Sequence, residues 1–158
     1  MHYRSLIKCA MAVWLVLFTG KAGARAQCSP QESDRLTASD AADVDEFGVS
    51  VGISGDTIVV GSYLGDTTQI DAGAAYVYHR SGASWPEQAK LFAPDPGIND
   101  EFGTAVAISG DTVIVGSPFC NNGAGDDSGA AYVFIRTGTS WSFQAKIFPA
   151  DSAMNDNF

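Results

Sequence analysis

Phe47-Gly48-Val49-Ser50-Val51-Gly52-Ile53-Ser54-Gly55-Asp56-Thr57-Ile58-Val59-Val60-Gly61-Ser62 is written a second time as Phe102-Gly103-Thr104-Ala105-Val106-Ala107-Ile108-Ser109-Gly110-Asp111-Thr112-Val113-Ile114-Val115-Gly116-Ser117, at an offset of 55 residues. In each copy two short runs rich in β-branched residues flank a Gly-Asp pair. A two-residue loop with Gly first is what a type II′ hairpin turn requires, because its first central residue sits at φ > 0. The stretch therefore predicts a hairpin, made twice: Val49–Ser54 with Thr57–Ser62, and its counterpart across Gly110-Asp111.

Working outward, the match resumes one residue later. Gly73-Ala74-Ala75-Tyr76-Val77-Tyr78 answers Gly129-Ala130-Ala131-Tyr132-Val133-Phe134 at an offset of 56, Trp85 answers Trp141, and Gln88-Ala89-Lys90-Leu91 answers Gln144-Ala145-Lys146-Ile147. Upstream, Leu36–Phe47 aligns without gaps with Leu91–Phe102 and Ile147–Phe158. A period of this length marks solenoids, propellers and arrays. Ala74–Arg80 predicts a third strand and Trp85–Phe92 a fourth, and no stretch after residue 26 carries helical periodicity.

In the second strand Ile58 and Val60 share a face opposite Val59, so apolar residues occupy both sides, as in a sheet buried on both faces. Four strands per unit, stacked radially, is the propeller answer to exposed sheet edges. The expected fold class is all-β: four-stranded antiparallel β-propeller blades in two full repeats, part of a larger propeller. Blade one spans 36–90, blade two 91–146, and 147–158 begins a third. The repeat positions are Phe47, Gly48, Gly55, Asp56 and Gly61, and Phe102, Gly103, Gly110, Asp111 and Gly116. Arrays of this kind usually need at least three repeats to bury their core. The expected partners are therefore further blades of the same chain or other copies in a homo-oligomer.

The N-terminal segment has different chemistry. Arg4 and Lys8 precede an apolar run from Cys9 to Gly20, and Ala24-Arg25-Ala26 has the small-x-small pattern of a signal-peptidase site. Residues 1–26 are expected to be a secretory signal and 27–35 a lead-in. The competing reading is a membrane anchor, against which the short apolar core counts, since a ~30 Å hydrocarbon slab needs about 20 apolar residues.

Cleavage after Ala26 would remove Arg4, Lys8, Lys21 and Arg25 but no acid, so nine basic residues fall to five against eighteen acidic and the net charge moves from −9 to −13. Such a surface repels nucleic-acid phosphates and anionic headgroups, which argues against both as partners. Cys28 and Cys120 would remain in an oxidising setting as a candidate disulfide, paired or free; spacing alone does not decide.

Taken together, Phe-Gly-x-x-Val-x-Ile-Ser-Gly-Asp-Thr-x-x-Val-Gly-Ser, Gly-Ala-Ala-Tyr-Val-Tyr/Phe, Ser-Trp and Gln-Ala-Lys-Leu/Ile resemble FG-GAP repeat proteins of the bacterial type, akin to the integrin alpha N-terminal β-propeller. The resemblance covers nearly all of Leu36–Phe158. It implies a complete propeller of about seven blades, exported, secreted or at the cell surface, acting in adhesion or in recognition of a protein or glycan. One departure stands out. The integrin-type calcium loop resembles Asp-x-Asp-x-Asp-Gly, whereas Ser54-Gly55-Asp56-Thr57 and Ser109-Gly110-Asp111-Thr112 offer one carboxylate each, far short of six to eight oxygen ligands.

The longer loops hold more acid. Asp66 and Asp71 in the first, and Asp126 and Asp127 in the second, are the candidate calcium ligands, weighed against ordinary solvated loops. Asp56 and Asp111 are expected to be turn residues bonding local backbone N–H groups. Asp43-Val44-Asp45-Glu46 and Asn99-Asp100-Glu101 are expected to form a turn and a charged rim.

No catalytic set is visible. His79 is the only histidine beyond residue 26 and its counterpart is Ile135; no metal-ligand spacing or phosphate loop appears. The recurring aromatics Tyr76, Tyr78, Trp85, Tyr132, Phe134 and Trp141 are expected to pack between blades, and the unmatched Tyr63, Leu64 and Phe119 to meet a ligand. The function expected is a non-enzymatic recognition, adhesion or scaffold module. Its rivals are a calcium-dependent adhesion module and the N-terminal propeller of a larger secreted hydrolase.

Overall fold

The computed structural model describes residues 35–67, 69–121, 127–151 and 153–158. The signal segment, most of the lead-in, Cys28 and Asp126 lie outside the described residues, and with them the proposed Cys28–Cys120 pairing.

The described residues of the unit Leu36–Phe158 form eight strands in two four-stranded antiparallel sheets, each in sequential order. Sheet one comprises β1 (Phe47–Ser54), β2 (Thr57–Ser62), β3 (Ala74–His79) and β4 (Glu87–Leu91). Sheet two comprises β5 (Ala105–Ser109), β6 (Thr112–Ser117), β7 (Ala130–Thr137) and β8 (Ser140–Ile147). These are two blades.

Gly55 and Gly110 both sit at φ +57° while Asp56 and Asp111 stay out of the left-handed region, so the hairpins close as the Gly-first loop requires. β4 is shorter than the expected Trp85–Phe92. Pro86 has no N–H to give a ladder, and where the second copy carries Ser142 the strand β8 runs on from Ser140. Both outer strands are bulged at the same place. Val77 pairs with Ala89 but Tyr78 with Glu87, and Val133 with Ala145 but Phe134 with Phe143, leaving Gln88 and Gln144 as the extra residues.

Register assigns the faces. Val51, Val60, Tyr76 and Lys90 lie abreast on one side of blade one, called here the front, and Gly52, Val59, Val77 and Ala89 on the back. The back of blade one packs against the front of blade two: Val59, Ala75, Val77 and Leu91 share one core with Val113, Val115, Tyr132 and Phe134, flanked by Val106 and Ile108. Each fully buried Val or Leu here contributes on the order of 1.5–3 kcal/mol. Gly52 permits the approach, because a β-carbon there would stand 3.3 Å from Ile108 Cγ2.

The front of blade one is covered partly by the preceding linker, with Leu36, Ala38 and Phe47 on Val60, Tyr76 and Tyr78. The expectation of sheets buried on both faces therefore holds for β2 but not for β6, where Val113 and Val115 are buried and Ile114 is exposed. The back of blade two has no sheet against it among the described residues.

Candidate functional site

The first two linkers are each fastened to their blades by the same set of three side chains. Tyr76 donates its hydroxyl to Asp40 Oδ1 at 2.8 Å, and Lys90 Nζ donates to Asp40 Oδ2 at 2.6 Å. In blade two Tyr132 donates to Asp95 Oδ1 at 2.9 Å and Lys146 Nζ to Asp95 Oδ2 at 2.9 Å. Each lysine also lies over its tyrosine ring, 5.4 and 5.1 Å from the centroid. Desolvation works to raise the Asp40 pKa, but hydrogen bonds from Lys90 and Tyr76 and the Lys90 charge outweigh it, and the carboxyl is held below its ordinary value. Burial pushes the Tyr76 and Tyr132 hydroxyls well up, which keeps them protonated donors.

The end of each linker is a tight turn built around an aspartate. Asp45, Asp100 and Asp156 accept the N–H groups of Ala42, Gly97 and Ala153 at 2.8, 2.6 and 2.5 Å. The residues on either side of each are left-handed: Val44 and Glu46, Asn99 and Glu101, Asn155 and Asn157. The expected charged rim is thus corrected at Asp100, which is buried, so that desolvation raises its pKa although the Gly97 N–H opposes the shift. Ser62 and Ser117 donate to the Asp45 and Asp100 carbonyls at 2.7 and 2.8 Å, securing the turn from below. Neither serine drew attention as chemistry in the sequence; their recurrence at the ends of β2 and β6 was the available signal.

Phe47 and Phe102 then dive onto their own blades. Phe47 packs edge-on against Tyr76 and Tyr78 with ring centroids 5.6 and 6.3 Å apart, and Phe102 against Tyr132 and Phe134 at 5.4 and 6.0 Å. Phe102 also donates its N–H to the Ala72 carbonyl at 3.0 Å, so the Phe-Gly turn of blade two sits on blade one's β2–β3 loop.

That loop carries the candidate metal ligands. Asp66 Oδ1 accepts the Asp71 N–H at 3.0 Å, and in the second loop Asn121 Oδ1 accepts the Asp127 N–H at the same 3.0 Å. A neutral amide does in blade two what a carboxylate does in blade one, so the service is hydrogen-bond acceptance and needs no charge. Among the described residues no three His, Cys, Asp or Glu side chains converge as metal ligands.

The hairpin aspartates also differ from expectation. The Asp56 and Asp111 carboxylates bond Arg80 and Arg136, each 2.7 Å from the guanidinium Nε, in place of local backbone N–H groups. Arg80 and Arg136 stack in turn over Trp85 and Trp141 at 5.9 and 5.5 Å. His79 Nδ1 lies 3.1 Å from Thr57 Oγ1 and 3.4 Å from Arg136 Nη1, within the contact between the blades. Cys120 is buried, and desolvation raises its pKa, which disfavours the thiolate. Tyr63, Leu64 and Phe119 are half-buried at the starts of the two long loops.

The FG-GAP repeat model matches residues 31–78 and 85–134. No curated protein matches the chain. The second matched segment takes β4 from sheet one together with β5, β6 and β7 from sheet two, so the unit of sequence straddles two blades and its linker spans the contact between them. With two such matches over most of the chain and two four-stranded antiparallel blades joined by the Phe-Gly turn, the chain belongs to the FG-GAP repeat family.

Proposed function

We propose that this protein is an exported, non-enzymatic propeller module that recognises a protein or glycan at the cell surface or in the surrounding medium. The observation that carries this reading is where the polar side chains are used. Asp40, Lys90 and Tyr76 in blade one, and Asp95, Lys146 and Tyr132 in blade two, are spent on each other, as are Asp56 with Arg80 and Asp111 with Arg136. The copies differ most in the loops, which are unequal in length and where Tyr63 and Leu64 stand opposite Pro118 and Phe119 in the repeat register. A rigid repeated frame with unlike loops is the arrangement of a binding surface.

Export is tested by expressing the chain in a secreting host and sequencing the N-terminus of the released protein, which is expected to begin at Gln27. Retention of residues 1–26 in the released protein would refute it. Recognition is tested by screening the labelled protein against immobilised glycans and extracellular-matrix proteins. Any ligand found should lose affinity with Tyr63→Ala or Phe119→Ala, and a ligand indifferent to both would move the surface elsewhere.

A further inference from the structure

The linker turn between the blades grips blade one's β2–β3 loop along three consecutive carbonyls. Asn99, Glu101 and Phe102 donate their N–H groups to Ile70, Asp71 and Ala72 at 3.1, 3.3 and 3.0 Å. Gly73 and Phe102 continue the contact as a parallel bridge, where a β-carbon on Gly73 would overlap the Phe102 carbonyl oxygen. The shape of the turn depends on Asp100. Its neighbours Asn99 and Glu101 are left-handed at φ +61° and +54°, its carboxylate accepts the Gly97 N–H at 2.6 Å, and Ser117 Oγ donates to its carbonyl at 2.8 Å. The donors that hold the loop are thus presented by a turn with one carboxylate at its centre.

That carboxylate stands among others of its own sign. Asp100 is 3% exposed, whereas Asp45 at the same place in the first linker is half-buried. Asp95 of its own linker and Asp127 of the β6–β7 loop oppose its charge, β6 meets it through the uncharged Ser117, and among the described residues Lys146 of β8 is the cation that offsets them. Next to it, the partly buried Glu101 is opposed by Asp71, the residue whose carbonyl it grips. Burial first and like charge second raise both carboxyls above their ordinary values, although the Gly97 N–H and Lys146 work against the shift at Asp100.

We propose that the turn from Gly97 to Phe102 is a proton-operated clasp: mild acid neutralises Asp100 and Glu101 and tightens the turn on the Ile70–Ala72 strip of blade one, and neutral pH loosens it. Protonated Asp100 keeps a carbonyl oxygen for the Gly97 N–H while it sheds the repulsion of Asp95 and Asp127. Protonated Glu101 sheds that of Asp71. The clasp governs how firmly the loop of blade one is held, whatever that loop binds.

The direction follows from proton linkage. A carboxyl whose pKa is raised by folding contributes stability that is fully present below the unfolded value and lost as pH rises through the folded one. Asp100 and Glu101 therefore act above the ordinary carboxylate range. Asp40, held below its ordinary value, acts beneath that range and with the opposite sign, so the two effects fall in separate pH windows.

Amide hydrogen exchange of the full chain, read residue by residue by NMR and corrected for the intrinsic rate at each pH, tests this between about pH 7.5 and 4.5. Protection of the Asn99, Glu101 and Phe102 amides is expected to rise severalfold in acid relative to amides in the β2–β3 ladder. Asp100→Asn keeps an acceptor for Gly97 without the charge, and is expected to give at the upper pH the protection that the parent reaches only at the lower one. Glu101→Gln, at a partly exposed position, is expected to fold normally and to remove part of the pH response, so the clasp remains testable if Asp100→Asn does not fold. Parent protection that is flat or falls in acid, a pH response that folded Asp100→Asn or Glu101→Gln retains in full, or protection lowered by either change at both pH values would each overturn the proposal.

Discussion

Gly48 and Gly103 occupy the same place in the repeat and nearly the same backbone conformation, φ +97° and +102°, yet their surroundings differ. A β-carbon on Gly48 would meet nothing within 4 Å. On Gly103 it would overlap the Ala74 carbonyl oxygen and stand 3.1 Å from the Ser62 nitrogen, both in blade one. Alanine at either position bears the cost of a side chain at positive φ, about 1–2 kcal/mol. At Gly103 the blades must also move apart by a fraction of an ångström, and packed interiors lose a quarter to a half of their dispersion wells over roughly 0.5–1 Å. With overpacking costs of about 1–3 kcal/mol added, Gly103→Ala should lose about 2–5 kcal/mol in all and Gly48→Ala about 1–2. Since domain stability is typically about 5–15 kcal/mol, the first change is a large fraction of the total. Urea titration followed by tryptophan fluorescence measures both, with Trp85 and Trp141 reporting one blade each. Equal losses for the two variants would show that backbone strain is the whole effect and that the Phe-Gly turn is not wedged between blades.

Val44 is exposed, β-branched and left-handed at φ +74°, where the other two linkers carry Asn99 and Asn155. Val44→Asn is expected to stabilise the fold by about 1 kcal/mol, visible as a higher melting temperature, since Asn tolerates this region best after Gly; an unchanged or lower melting point would contradict the strain. Asp40→Asn removes the charge that Lys90 pairs with and should cost about 1 kcal/mol at neutral pH. Because the Asp40 pKa is lowered in the fold, its contribution is present above the ordinary carboxylate value and lost as pH falls through the depressed one, so the gap between variant and parent should close in acid. A gap that persists at low pH would mean Asp40 acts through shape and not charge. Asp66→Asn copies the Asn121 arrangement of blade two and should shift stability by less than about 0.5 kcal/mol, with or without added calcium; a larger loss, or a calcium-dependent one, would assign the carboxylate charge a role.

How much was readable in advance depends on whether a residue's task is local. The hairpins were legible because a two-residue turn depends only on the residues in it, and Gly55-Asp56 and Gly110-Asp111 satisfy it twice. The aspartate partners were not: Asp56 and Asp111 find Arg80 and Arg136 at sequence separations of 24 and 25, through the pairing of β2 with β3 and of β6 with β7. Asp66 and Asp71 looked like ligands because acidity is visible in a sequence, whereas the hydrogen bond between them is not.

From sequence came the repeat, the strand count per unit and the family resemblance, since each is a matter of period, β-propensity and turn chemistry along one stretch of chain. Tertiary structure alone decided which face of a blade is covered. Val59 and Ile114 occupy the same repeat position, and only the sheet stacked against the first makes one buried and the other exposed. Burial is a property of what lies opposite, and what lies opposite Val59 is Ile108 and its neighbours, some fifty residues away along the chain.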